Sequence, residues 1–473
     1  MGLTAYMLSF WCALSVVAGF AAPALFNMTE IRDASTLKED IQRDWHTVSG
    51  KLKTRQKVMT ISVGELWPGQ DYRVPVRLIV PAEAKAKGFW LTGGHQLKGF
   101  EGDAALNRLA TELLEGGVGV VHTIVQEPGT WGQKTLGNEM GTRFLKTLNP
   151  RYSIQYWGWP ASLMRAVTAA YAEEEYFEVG NVVVSGGSKN GASPSVALIH
   201  DDRITAQHAT VSPLWESPLR LCDSKAWNRL RDYNKEAGVK RPHHFLGGTY
   251  GPVYNEDALR MGRSWEDLQQ LAGEMADAVF ISKNFQALKK RGAAMLFEPG
   301  THDFVCFDVA WGGEHYPGIP VFYQPNSGHG KKSKHPGAIQ GVQNHDALLL
   351  YHFFPGETDS LLSVPEMEIH RENDEVVVTV KFAENDPAEG GRLYWMFDRP
   401  PEGSDAYLKL LIPDDNWMEM KWDEEKTGWS GRIPVRDGST SIDLFSCHWK
   451  HVEAPLRTLQ TAISSPYKRV VLD

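Results

Sequence analysis

The run Val182-Val183-Val184-Ser185-Gly186, continued by Gly187-Ser188-Lys189-Asn190-Gly191-Ala192, constrains this chain more than any other stretch. Three consecutive valines read as a buried β-strand, and the residues that follow read as a sharp turn into a helix. Gly186 and Gly191 bracket Ser188 in a G-x-S-x-x-G spacing. A turn that lifts a serine hydroxyl clear of a sheet needs neighbours without side chains, and the backbone N–H groups at the start of the next helix point toward any anion formed there. The same glycines would serve an ordinary strand-to-helix connection, so the motif gains chemical meaning only with a base and a carboxylate elsewhere.

Short apolar strands alternate with amphipathic helices on both sides of this turn, the pattern of βαβ units and a mostly parallel sheet. Val58 to Val63 and Tyr72 to Val80 read as early antiparallel strands, preceded by a polar segment containing Trp45. Gly88 to Thr92 reads as a strand ending in Gly93-Gly94-His95, followed by a helix over Ala104 to Leu114 and a strand over Val118 to Val125. A helix is predicted over Pro160 to Tyr171, and the helix after Ser188 is expected to hold Pro194 in its first turn, where a missing N–H does no harm. The stretch 222–290 is helical and polar and reads as a cap insertion. Strands return at Ala293 to Phe297 and Ile319 to Tyr323, and a helix is expected from His345 to Phe354. Beyond residue 360, Glu375 to Phe382, Gly391 to Phe397 and Ser441 to Cys447 alternate between Pro/Gly/Asp-rich turns, which predicts a small β-sandwich over 361–473.

The strand ends deliver the missing groups. Ser188 follows one strand, Asp303 the next to last, and His329 the last, and loops at the carboxyl edge of a parallel sheet are where such side chains converge. In that arrangement His329 takes the serine proton during attack and returns it to the leaving group, while Asp303 holds the ring in one tautomer. Glu298, Asp308 and Glu314 compete for the carboxylate role; Asp303 is preferred because it lies a short loop beyond its strand, whereas Glu298 is close enough to be buried or turned aside. Against this, His329 sits next to the polar run Lys331-Lys332-Ser333-Lys334-His335, as a surface-loop histidine would. Gly93 and Gly94 are the natural second oxyanion donor, or simply a tight turn. Lys189 either places positive charge near the oxyanion or an outer substrate carboxylate, or forms a structural salt bridge.

A net charge of −9 argues against a nucleic-acid partner. Sixteen tryptophans suit core packing or stacking of a ligand in a cleft. His200-Asp201-Asp202, His243-His244 and His315 lack metal-site spacing, and no P-loop or dinucleotide fingerprint follows a strand, so neither metal nor cofactor is expected. The apolar run from Tyr6 to Ala22, with no charged side chain before Glu30, reads as a signal peptide over 1–24, although no Lys or Arg precedes it and an uncleaved anchor stays open. No later segment is apolar enough to span a bilayer. Cys12 falls in that segment, leaving Cys222, Cys306 and Cys447 as buried thiols or one bridge with a free thiol.

Taken together, Gly93-Gly94, Val184 to Gly191, Pro299-Gly300-Thr301-His302-Asp303-Phe304 and Val321 to His329 resemble the PhoPQ-activated pathogenicity-related proteins, an exported bacterial family of α/β-hydrolase type. The resemblance spans most of the chain and implies an α/β-hydrolase fold in residues 25–360 with a β-rich carboxyl-terminal domain. Family elbows read glycine, any residue, serine, lysine, arginine, glycine, whereas Asn190 stands here in place of arginine. Similar elbows occur in glucuronoyl and acetylxylan esterases and in some secreted tripeptidyl aminopeptidases. The expectation is therefore an exported serine hydrolase cleaving small or carbohydrate-linked carboxylic esters through Ser188, His329 and Asp303. Peptidase activity and a non-catalytic, carbohydrate- or envelope-binding role are the alternatives.

Overall fold

The computed structural model describes residues 25–125, 136–211, 213–239, 255–330, 332–384, 387–425 and 427–472. The amino-terminal apolar segment with Cys12, the pair His243-His244, and Lys331 lie outside the described residues.

Eight strands form the main sheet: β1 (Asp40–Val48), β2 (Thr54–Trp67), β3 (Gln70–Pro81), β4 (Ala86–Thr92), β5 (Gly119–Thr123), β6 (Phe177–Gly187), β7 (Ala206–Thr210) and β8 (Ala294–Phe297). Their spatial order is β1-β2-β3-β5-β4-β6-β7-β8. The first three and β5 pair antiparallel, and the pairs from β5 through β4, β6 and β7 to β8 are parallel. An antiparallel entry, one exchange of order at β5-β4, and a serine turn at the end of the central β6 are the topology of the α/β-hydrolase fold.

Strand β6 shows why the sheet needs cover on both faces. Side chains alternate along a strand, so Val182 and Val184 enter the larger core while Val183 enters a second one on the other face. The helix Trp159–Ala172, buried along nearly its whole length, packs with Lys189–His200 over the first face. Arg108–Glu115 and Asn344–Phe353 cover the second, where Leu109, Leu113, Ala347 and Leu350 meet Trp90 and Val183.

Several sequence expectations shift. The helix expected over Ala104 to Leu114 begins at Arg108, because the Asn107 side chain accepts from the Ala110 N–H at 2.8 Å and caps it there. Pro194 is not in a first turn: its helix starts at Lys189, so the proline is interior and removes the N–H that would reach the Asn190 carbonyl. Ile319 to Tyr323 does not form a regular strand but pairs with the sheet only through the Phe297–Val321 and Gly300–Gln324 bridges. Pro320 and Pro325 cannot donate to a ladder. The polar segment around Trp45 is β1, an edge strand too exposed to show an apolar alternation.

Helices Ser224–Glu236, Asn255–Arg260 and Trp265–Glu274 occupy the stretch after Cys222. Ile281–Lys290 follows and buries Ile281 and Leu288 in the main core. No helix among the described residues is long and apolar enough to cross a membrane. Cys222, Cys306 and Cys447 are buried, and no disulfide joins them among the described residues.

The carboxyl-terminal strands are β9 (Glu366–Glu372), β10 (Glu375–Lys381), β11 (Gly390–Phe397), β12 (Trp417–Glu419), β13 (Lys421–Asp423), β14 (Gly428–Pro434), β15 (Ser441–Ala454), β16 (Arg457–Ser464) and β17 (Lys468–Val471). They make two antiparallel sheets, β13-β14-β10-β9 and β12-β11-β15-β16, with β17 on β15. Val376, Val378 and Val380 meet Leu393, Ile442 and Leu444 in the core of these strands. Tyr394 and Phe445, next to Leu393 and Leu444, belong instead to the main core. The second sheet is thus apolar on both faces, and one of them is part of the hydrolase body.

Candidate active site

Ser188 sits at φ 55° and ψ −129°, a conformation a non-glycine residue adopts only under constraint, at a cost of about 1–3 kcal/mol. The turn is tight enough to exclude side chains at its flanks. A Cβ on Gly186 would lie 2.1 Å from the Asn190 carbonyl oxygen, and one on Gly191 2.8 Å from that of Gly186. The Ser188 N–H reaches the Thr210 carbonyl at 3.3 Å, tying the turn to the end of β7.

Two loops beyond β8 are woven together to present the other groups. The His302 N–H bonds the Ser327 carbonyl at 3.0 Å, and the Asn326 N–H bonds Thr301 Oγ1 at 2.9 Å. A Cβ on Gly300 would stand 2.2 Å from the Ser327 oxygen, so only glycine permits this approach. The result brings His329 Nδ1 to 3.0 Å from both carboxylate oxygens of Asp303. Asp303 is 4% exposed, and its Oδ1 also accepts from the Val305 N–H at 3.0 Å.

The hydrogen bond that His329 donates to Asp303 raises the His329 pKa above its ordinary 6.5; burial and the charge of Lys189 act in the opposite direction. His302, next to Asp303 in sequence, is driven down to about 3 by burial and by the Arg399 charge, so it stays neutral. Ser188, Asp303 and His329 line one cavity of about 400 Å³, together with Glu298, Gln324 and Lys332.

The rival carboxylates have other commitments. Asp308 is buried and paired with Arg220 at 2.8 Å, with Ser217 donating to it at 2.6 Å. Glu314 is exposed on a helix. Glu298 lines the cavity but faces His208, at 3.6 Å; burial raises its pKa, yet the surrounding His208, Asn344 and His345 together outweigh this and hold it low.

Gly93, Gly94 and Lys189 are not among the residues lining that cavity. Gly93 accepts from the Val125 N–H at 3.1 Å, and a Cβ on it would strike Val125 at 2.6 Å. A Cβ on Gly94 would meet the Asn190 side chain at 3.5 Å, which puts this glycine beside the serine turn. Lys189 forms no ion pair among the described residues, and its charge acts to lower the His329 pKa.

A second serine–histidine–carboxylate array, not anticipated from sequence, lies behind the turn. Ser185 Oγ is 3.0 Å from His345 Nε2, and His345 Nδ1 is 3.2 Å from Asp346. Ser185 is 3% exposed and its oxygen already accepts from Trp90 Nε1 at 2.7 Å. Buried between these two partners, the hydroxyl is closed to a substrate, and the array braces β6 against the Asn344–Phe353 helix. Ser185 and Ser188, three residues apart, differ in strand parity, and no other signal lay in the sequence.

No protein-family model matches the chain, and no curated protein does. Among solved structures it is similar to an acetyl xylan esterase from a Thermoanaerobacterium species, at 15% identity over 68% of this chain and 90% of that one, with a TM-score of 0.39. A glucuronoyl esterase from Teredinibacter turnerae matches at 12% identity over 61% and 70%, with a TM-score of 0.34. An isopeptidase matches at 11% over 63% and 44%, with a TM-score of 0.35. The α/β-hydrolase class rests on the strand order and the serine turn.

Proposed function

We propose that this protein is an exported serine hydrolase that cleaves carboxylic esters through an acyl-enzyme intermediate. The observation that supports this best is the Asp303–His329 pair, at 3.0 Å, facing the same cavity as a serine in a strained strand-to-helix turn. Because His329 bonds Asp303 through Nδ1, its Nε2 is the nitrogen left to accept the Ser188 proton.

In this reading Ser188 Oγ attacks the ester carbonyl as His329 takes its proton. The oxyanion is met by backbone N–H groups at the start of the Lys189–His200 helix and in the Gly93-Gly94 turn. The imidazolium then protonates the departing alcohol, and water repeats the sequence on the acyl-serine. The reading extends to membership of the PhoPQ-activated pathogenicity-related family, on the four stretches that resemble it, and to export through the amino-terminal apolar segment.

Fluorophosphonate labelling is the direct test. Wild-type protein is expected to label and Ser188→Ala not, with ester turnover falling by about 10⁴-fold or more. Equal labelling of both proteins would overturn the assignment. A panel of acyl esters, methyl uronates and aminoacyl amides then separates ester from amide cleavage.

A further inference from the structure

Three large apolar side chains stand exposed on segments bonded to, or part of, the loops that carry Asp303 and His329: Phe304 at 40%, Leu410 at 43% and Leu411 at 53%. They come from distant parts of the chain. Phe304 belongs to the loop of Asp303, and its ring centroid is 4.7 Å from that of the His329 imidazole. Leu410 and Leu411 belong to the carboxyl-terminal strand region, yet they are fastened to the same two loops. The Leu410 carbonyl is 2.5 Å from His302 Nε2, and Asn326 bonds both the N–H and the carbonyl of Ile412 at 2.8 Å. His302 stays neutral, so this bond is an ordinary Nε2–H donation to the carbonyl, which fixes its tautomer. The leucines are held there by directional bonds while their side chains remain in solvent, an arrangement that wastes apolar surface unless something covers it.

The mechanism says which part of a substrate that is. The nitrogen that takes the serine proton must also deliver it to the leaving oxygen, so the alcohol of the ester lies on the imidazole side of Ser188. Resting on the hydrolase reading above, we infer that Phe304, Leu410 and Leu411 form a subsite for a bulky apolar alcohol, and that the carboxyl-terminal domain thereby sets leaving-group specificity.

The test compares benzyl and methyl esters of one acyl group, chosen as one the wild-type protein turns over; the two alcohols are of similar basicity, so the comparison isolates binding. Wild type is expected to prefer the benzyl ester in kcat/KM by about tenfold or more. The double variant Leu410→Ser/Leu411→Ser, which leaves His329 untouched, is expected to lower that ratio about tenfold, as is Phe304→Ser. Val179→Ser, an exposed apolar site at the far end of β6, is expected to keep the wild-type ratio. A ratio near one in wild type, or one unchanged by the double variant, overturns the subsite while Ser188 still labels with fluorophosphonate. Loss of both labelling and turnover in wild type is a different result, which removes the hydrolase reading and this inference with it.

Discussion

At the scale of single residues, the charge beside His329 decides when the base is available. A raised pKa means that the protonated ring is favoured in the folded protein, so its contribution to stability is complete below the ordinary 6.5 and is lost as pH rises through the raised value. Catalysis needs the neutral ring, so the acid limb of the pH–kcat/KM profile is expected above pH 6.5. Lys189 opposes the rise, and Lys189→Met should therefore move that limb to higher pH. Asp303→Asn should move it to lower pH and also cost about 10⁴-fold in rate through loss of tautomer control. Profiles measured with one activated ester check both directions; a limb that does not move in Lys189→Met excludes an electrostatic role for this lysine. Ser188, Asp303 and His329 are candidates from sequence because each follows a segment of strand-like composition, although the one before His329 forms only isolated bridges. The salt-bridge alternative for Lys189 was not decidable there, since its partners, if any, are set by folding.

At the scale of elements, the serine turn is a steric object before it is a chemical one. Gly186→Ala must push its Cβ against the Asn190 carbonyl, which is backbone and cannot swing away. The expected cost is about 2–3 kcal/mol, read as a lowered urea midpoint at unchanged slope, with loss of fluorophosphonate labelling even where the protein remains folded. Labelling at the wild-type rate would mean that the turn does not need its present shape. The strand-turn-helix pattern was readable because valines, glycines and serine report backbone conformation directly. The position of Pro194 was misjudged because the first turn of its helix begins immediately after Ser188, without the loop residues that a less compressed connection would use. Ile319 to Tyr323 has a strand's composition, but Pro320 within it and Pro325 beyond it limit its pairing to isolated bridges.

At the scale of the whole molecule, the carboxyl-terminal strands are bound into the hydrolase body. Tyr323 packs on Phe445 and Tyr467 at centroid distances of 5.4 and 5.8 Å, and the Ser464 N–H bonds the Val321 carbonyl at 2.8 Å. Arg399, 4% exposed, donates to Tyr467 at 2.5 Å and to the Thr301 carbonyl at 2.8 Å, so the loop that carries Asp303 leans on this domain. Arg399→Met leaves those acceptors buried without a donor, and a loss of about 3 kcal/mol is expected in denaturant unfolding. A shared core further predicts one transition, with tryptophan fluorescence and far-ultraviolet circular dichroism coinciding; two separated transitions would show that the domains unfold independently.

The sequence alone determined the class of fold, the turn at Ser188 and the chain order of Ser188, Asp303 and His329, because apolar periodicity and glycine placement are local consequences of backbone geometry. Only the tertiary structure decided which carboxylate faces which histidine. Asp303, Asp308 and Glu298 are separated by a few residues in sequence, but burial next to Arg220 or His208 commits two of them elsewhere. It also decided that Ser185, three residues before Ser188, is sealed behind the sheet, since facing direction acquires chemical meaning only once both sheet faces are covered. The tether of the Leu410–Ile412 segment to the loops of Asp303 and His329 was beyond sequence for the same reason: hydrogen bonds between segments about a hundred residues apart create it.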